Sequence, residues 1–190
     1  MKLAHVHIPK TGGGSIKQWF IENQPKNYTA EGHKLLKNFT TDYDKSFTVI
    51  RNTYYRLISV FQWACFTTED KLNKRKLKNN TKDLKFLENA LYYQNQGIIS
   101  YLNFLLDEND PSIMSLKKWT HDVDIVIRLE NINEDFIQIQ EILNNHTPLV
   151  HKKRNLIYSA NSLITNEYVK FVEKHWYEEI NQYRYTTDKY

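Results

Sequence analysis

The chain has 190 residues, of which 41% are hydrophobic and 14% aromatic, with a formal net charge of +4 at pH 7. This length and composition predict one packed domain over 1–190 and exclude general disorder. The sequence has no apolar run long enough to span a membrane, its first ten residues are too polar for a secretory signal, and its single cysteine, Cys65, excludes an internal disulfide, so we expect a cytoplasmic protein with no membrane partner.

The first predicted elements are a strand, a turn and a helix. The run LAHVHI, 3–8, alternates in polarity and ends at Pro9, as short strands do. Three of the five glycines then stand side by side in HIPKTGGGS, 7–15. Apolar residues at helical spacing follow, and Ser15 with Gln18 matches a capping box, so we expect the helix to begin at Ser15.

Strands and helices continue to alternate along the chain. SFTVIR, 46–51, is nearly continuous in apolar character, which is typical of a buried parallel strand, and the apolar spacing from Tyr54 to Cys65 predicts a helix after it. The charged, Asn-rich stretch 69–82 predicts an irregular excursion. The remaining predictions are a helix over 83–106 interrupted near Gly97, a strand over 124–129, a helix over 131–145, an irregular stretch over 146–162 and a last helix over 166–181.

This alternation predicts an α/β fold, a P-loop-like three-layer sandwich with a central parallel sheet flanked by helices. A Gly-rich turn between a strand and a helix N-terminus predicts an anion site, because backbone N–H groups and the helix dipole point at the ligand. Lys10 adds a full charge, and Thr11 and Ser15 add hydroxyls. A merely flexible turn would need none of these side chains.

The order of residues in this turn argues against an ATP or GTP loop. In that pattern, GxxxxGK[ST], the lysine follows the glycines, whereas Lys10 precedes them. The second strand ends in Arg51, where a nucleotide triphosphatase would carry a metal-binding carboxylate. The pattern therefore suits an anionic donor that is bound without Mg²⁺.

Four segments resemble sulfotransferases that use 3′-phosphoadenosine 5′-phosphosulfate (PAPS), in the branch of the carbohydrate (heparan and chondroitin type) enzymes and their small microbial and viral relatives. HIPKTGGGS resembles the 5′-phosphosulfate loop of that family, and FTVIRNTYYRLISVF resembles its 3′-phosphate motif, a strand ending in Arg with Ser eight residues on. RLENINEDF and EKHWYEEINQYRY are similar to a strand-to-helix segment and to the closing helix. The four segments occur in the family's order and span nearly the whole chain.

The resemblance implies residues for both ends of the donor. Arg51 and Ser59 would hold the 3′-phosphate, and the basic stretch HKKRN, 151–155, would contact phosphate or adenosine, with the register of Lys152, Lys153 and Arg154 left open. Thr53 departs from the family, which usually has Pro there. The residues that would hold the 5′-phosphosulfate are Lys10, Thr11, Gly12, Gly13, Gly14 and Ser15.

Sulfuryl transfer needs a base for the acceptor's proton and positive charge for the leaving group. Lys10 fits the second role. His33 is the expected base, since it follows Gly32 where the related enzymes carry a Gly-His pair, and Glu31 is the alternative base. No metal is expected, because His5 and His7 lack an evident third ligand and are interpreted as packing and loop support.

The sequence thus predicts a PAPS-dependent sulfotransferase that transfers a sulfuryl group to a hydroxyl of a carbohydrate or small alcohol and releases 3′-phosphoadenosine 5′-phosphate (PAP), with no nucleic-acid partner. Glu130 is expected to brace a loop or a helix terminus. Two alternatives stay open: a P-loop kinase or phosphotransferase, and a non-catalytic binder of an anionic polymer through the basic residues of 71–85 and 151–154. The acceptor and the oligomeric state are not encoded in any of these patterns.

Overall fold

A computed structural model describes residues 1–77, 84–150 and 159–188. Within these residues a sheet of four parallel strands has the order β2-β1-β3-β4. The three predicted strands are confirmed, and β2 has only two residues, too few for a polarity pattern. The strands are β1 (Leu3–Val6), β2 (Tyr28–Thr29), β3 (Lys45–Ile50) and β4 (Ile125–Arg128).

Nine helices accompany the sheet in the described part of the chain, with short 3₁₀ turns between some of them. None of them is both long enough and apolar enough to cross a bilayer. They are α1 (Gly13–Asn23), α2 (Thr53–Leu77), α3 (Leu84–Asn95), α4 (Ile98–Asp107), α5 (Leu116–Trp119), α6 (Ile132–Asp135), α7 (Ile137–Ile142), α8 (Ala160–Leu163) and α9 (Asn166–Tyr183).

Helices cover both faces of the sheet, as the α/β prediction requires. Alternate strand residues point to opposite faces: Leu3 and Phe47 pack with α1 and α7, whereas Ala4 and Ile50 pack with α2, α4 and α9. The nearly continuous apolar character of β3 follows from this burial on both sides. The predicted α/β fold with a parallel sheet flanked by helices is confirmed.

The prediction that the first helix begins at Ser15 is wrong. Gly12 is the N-cap, at φ 86°, and makes no side-chain cap bond, so α1 begins at Gly13. Ser15 lies inside the first turn, where its N–H donates to the Gly12 carbonyl at 3.0 Å, and Gln18 bonds Glu22 instead. A left-handed glycine turns the chain into the helix without the extended residue that a capping box needs.

The stretch 69–82 is not irregular as far as the structure describes it, because α2 continues to Leu77. Leu72 is buried on this part of α2, and Lys76 forms an ion pair with Glu88 of α3 at 3.1 Å. Packing against α3 therefore outweighs the polar composition. The predicted interruption near Gly97 is confirmed, with φ 105° at that residue between α3 and α4.

Two further helix predictions are corrected. Residues 131–145 form two short helices, α6 and α7, rather than one, with Asn131 as the N-cap of α6 but without a side-chain cap bond. The stretch predicted irregular, 146–162, includes the start of α8. The last helix is confirmed and extends to Tyr183.

A buried ion pair joins α2 to α9. Arg56 is fully buried, with Nη2 at 3.8 Å from Glu179 Oε1, and it donates to the carbonyls of Ser112 and Met114 at 3.1 Å each. Burial lowers the pKa of Arg56. Glu179 also accepts the Thr53 hydroxyl, a bond that the proline usual in the resembling family could not make.

Candidate functional site

The direction in which the strands are added reverses between β1 and β3, the position at which parallel α/β sheets leave a crevice for ligands. After β1 the chain crosses through α1 to β2 on one side, and after β3 it crosses through the helices α2 to α5 to reach β4 on the other. In parallel α/β sheets, ligands bind at such a reversal, outside the carboxyl ends of the strands. Since Val6 is paired with Thr48, the Gly-rich turn and Arg51 leave the sheet at this same edge.

Arg51 and the Gly-rich turn are in direct contact. Arg51 Nη1 donates to the Lys10 carbonyl at 3.3 Å, although the two residues are 41 apart in sequence. Lys10 has φ 69°, a conformation that residues other than glycine rarely adopt. The two segments from which the sequence predicts a donor site therefore meet.

The three glycines differ in their surroundings. A Cβ on Gly13 would lie 2.0 Å from His7 Nε2, whereas a Cβ on Gly14 would meet nothing within 4 Å. Gly14 is exposed, so its backbone is open to an approaching ligand. The amides of Gly13 and Gly14 stand in the first turn of α1, where a helix provides no acceptor of its own. Backbone amides at such a helix N-terminus are the groups to which phosphate and sulfate commonly bind.

The two hydroxyl residues of the turn are mostly enclosed. Thr11 is fully buried and its hydroxyl donates to the Ile8 carbonyl at 2.9 Å, so this side chain supports the turn from inside. The predicted contact of the Thr11 hydroxyl with a ligand is therefore reassigned to loop support. Ser15 is 9% exposed, in the first turn of α1.

The α2 helix contacts the Gly-rich turn through Trp63. Lys10 Nζ lies 4.5 Å from the centroid of the Trp63 ring, within the range of a cation–π interaction. Ser59, which is half-buried, lies four residues before Trp63 and hence on the same face of the helix. The face of α2 that carries Ser59 is the one that Lys10 approaches. The sequence patterns did not single out Trp63.

His33 lies beside the Gly-rich turn. Its Nδ1 is 2.8 Å from the His7 carbonyl oxygen, and the two imidazole rings are 4.5 Å apart. A carbonyl oxygen can only accept, so Nδ1 carries the hydrogen and Nε2 of the neutral ring keeps its lone pair. His33 is exposed. The nitrogen of this ring that can accept a proton is therefore Nε2.

His5 and His7 are packed inside. Burial, together with the nearby charges of His33 and Lys17, lowers the pKa of His7 to about 4. Burial also lowers the pKa of His5, whose ring stacks on Phe47 at 4.7 Å. Both rings are neutral at pH 7. Within residues 1–77, 84–150 and 159–188, no three His, Cys, Asp or Glu side chains are grouped as metal ligands.

Glu31 is already fully engaged. Its carboxylate accepts the backbone N–H groups of Thr40 at 2.7 Å and Thr41 at 2.8 Å, and pairs with Lys34 at 2.9 Å. These donors, led by the Lys34 bond, lower the pKa of Glu31 to about 2. A carboxylate held so strongly in its charged form is a weak base. Glu31 is therefore a weaker candidate base than His33, and its bonds connect residues on both sides of His33 in the loop.

Glu130 braces the start of α2, as expected. Its Oε1 accepts the Asn52 backbone N–H at 2.7 Å, and the Asn52 side chain in turn accepts the Tyr54 N–H at 3.1 Å, which caps the helix. Arg51 precedes this anchored residue, so the end of β3 is held in place. Lys153 and Arg154 lie outside the described residues.

Among the aromatic side chains of α3 and α4, Tyr101 and Phe104 belong to the core, and Tyr93 stacks on Phe104 with centroids 5.2 Å apart. Tyr92 is exposed.

Comparisons of the chain with models of protein families, with curated proteins and with solved structures found no match.

Proposed function

We propose that this chain is a PAPS-dependent sulfotransferase, folded as a P-loop-like sandwich. The observation that carries the proposal is the contact of Arg51 with the Lys10 carbonyl, at 3.3 Å. It joins the two segments that resemble the 5′-phosphosulfate loop and the 3′-phosphate motif, at the sheet edge where α/β proteins bind ligands. The cytoplasmic location and the single catalytic domain over 1–190 remain predictions.

In this proposal different residues bind the two ends of the donor. The amides of Gly13 and Gly14 and the Lys10 ammonium bind the phosphosulfate, whereas Arg51 and Ser59 bind the 3′-phosphate. The donor supplies an activated sulfuryl group. Arginine suits phosphate because its planar guanidinium can donate two parallel hydrogen bonds.

The acceptor is a hydroxyl group of a carbohydrate or small alcohol. Its oxygen forms a bond to sulfur while the bond from sulfur to the bridging oxygen breaks, and PAP leaves with that electron pair. The acceptor's proton passes to Nε2 of His33, and the Lys10 ammonium faces the negative charge on the leaving oxygen. The fixed Nδ1–H of His33 keeps the accepting nitrogen available.

The decisive experiment compares the affinity for PAP with that for AMP, which lacks only the 3′-phosphate, by calorimetry without Mg²⁺. We expect the wild type to prefer PAP, and Arg51→Ala to lose about 10- to 150-fold in PAP affinity, the range for a charged hydrogen bond, and clearly less in AMP affinity. Arg75→Ala is the matched control, because Arg75 lies on the same helix as Ser59 but roughly 24 Å further along it at the helical rise.

Three results would redirect the proposal. Equal affinities of the wild type for PAP and AMP would remove the 3′-phosphate site. Tight binding of ATP that requires Mg²⁺, with no preference for PAP, would favour a kinase or phosphotransferase. Binding of an anionic polymer that Lys10→Met leaves unchanged, with no nucleotide binding, would favour the non-catalytic binder.

A further inference from the structure

Trp63 differs from the other tryptophans of this chain. Trp19, Trp119 and Trp176 are buried in the two cores, whereas Trp63 is 39% exposed. The ring of Trp63 lies under the Lys10 ammonium, 4.5 Å from the ring centroid.

Lys10 is held from two directions. Arg51 donates to its carbonyl, which anchors the main chain, and Trp63 lies against its ammonium. The backbone of Lys10 is in the left-handed region, at φ 69°, so the side chain leaves the turn in an unusual direction. The ammonium then lies against Trp63 of α2.

We propose that Trp63 is a positioning residue that holds the Lys10 ammonium beside the crevice and releases it to the phosphosulfate when the donor binds. This inference rests on the proposed function for the identity of the donor. The release lowers the free energy, because a charge-assisted hydrogen bond from Lys10 to phosphate is stronger than a cation–π contact at an exposed ring. Its cost is that donor binding must break the contact with Trp63.

Two consequences follow from thermodynamic linkage. In the protein without ligand, Lys10 and Trp63 are coupled, so the effects of replacing them on the unfolding equilibrium are not additive. In the complex the coupling is absent, so replacing Trp63 removes a competitor for Lys10 and makes PAP bind more tightly. A residue that only supported the fold would weaken PAP binding or leave it unchanged.

The first measurement is a double-mutant cycle of Lys10→Met and Trp63→Leu on urea unfolding without ligand. We expect the unfolding constant of the double variant to deviate about two- to five-fold from the product of the single effects, the size of an exposed cation–π pair. Trp63→Phe keeps an aromatic face and should retain part of the coupling. An additive cycle would overturn the proposal, since Trp63 would then not hold Lys10.

The second measurement is PAP affinity by calorimetry for the same variants. Trp63→Leu is expected to bind PAP about two- to five-fold more tightly than the wild type, Trp63→Phe to fall between them, and Trp63→Leu to have no effect in the Lys10→Met background. If the wild type binds PAP but Trp63→Leu binds it equally or more weakly, the release is refuted and the proposed function stands. If the wild type does not bind PAP, both proposals fail.

Discussion

Replacing Gly13 by alanine tests the architecture of the Gly-rich turn, and Gly14 provides a matched control in the next position. A Cβ on Gly13 would lie 2.0 Å from His7 Nε2 and 2.1 Å from its Cδ2, far inside van der Waals contact. A Cβ on Gly14 would meet nothing within 4 Å. Both positions belong to the first turn of α1, so the two variants differ mainly in whether the methyl group meets His7.

The expected magnitudes follow from two opposing effects. Overpacking costs about 1–3 kcal/mol, whereas alanine gains up to about 1 kcal/mol over glycine in a helix. Gly13→Ala should therefore lower the free energy of unfolding by about 1–2 kcal/mol, while Gly14→Ala should leave it unchanged or raise it by up to about 1 kcal/mol. The difference in the free energy of unfolding between the two variants is attributed to the imidazole of His7.

Urea unfolding followed by circular dichroism measures both variants, and His7→Ala in the Gly13→Ala background tests the cause. If the clash is with the imidazole, the double variant should be more stable than the sum of the two single losses predicts. The reasoning is refuted if Gly13→Ala is as stable as Gly14→Ala, because His7 would then not lie against the turn.

Three further predictions concern protonation and charge. Acidification should destabilise the protein between about pH 6.5 and pH 4, because His5 and His7 have lowered pKa values and the unfolded chain binds protons that the folded chain does not. The free energy of unfolding, measured at several pH values, should fall by about 1.4 kcal/mol per pH unit for each histidine. His7→Gln should reduce this slope. Arg56→Met should lower the free energy of unfolding by about 3–5 kcal/mol, because it removes the cation that pairs with the buried Glu179 carboxylate, and adding Glu179→Gln should recover part of the loss. His33→Gln should reduce kcat for PAP formation from PAPS by about 10²- to 10⁴-fold while PAP affinity is unchanged.

Each of these three predictions can be contradicted by a specific result. A pH slope that His7→Gln leaves intact would show that His7 does not resist protonation in the fold. Equal stability of Arg56→Met and the wild type would mean that the pair is not buried in solution. A His33→Gln variant with normal kcat would exclude this imidazole as the base.

The local sequence pattern predicted the secondary structure correctly wherever the interactions that determine it are close in sequence. Alternation predicted β1, continuous apolar character predicted β3, and Gly97 marked the break between α3 and α4. It failed where a distant contact decided the outcome: α2 passes through a polar stretch because Leu72 is buried and Lys76 pairs with Glu88. A strand as short as β2 carries no periodicity at all.

The sequence by itself determined that the chain would form an α/β fold with a parallel sheet, because this depends on residue type and spacing. The same kind of pattern predicts that a glycine turn, a lysine and an arginine bind one anionic donor, which the structure leaves as a prediction. Tertiary structure decided which side chains share the crevice. The order of the strands placed Arg51 at the Lys10 carbonyl, the loop around Glu31 oriented His33, and the path of α2 brought Trp63 under the ammonium. These contacts join residues that are separated in the chain, and only burial and strand pairing determine their distances.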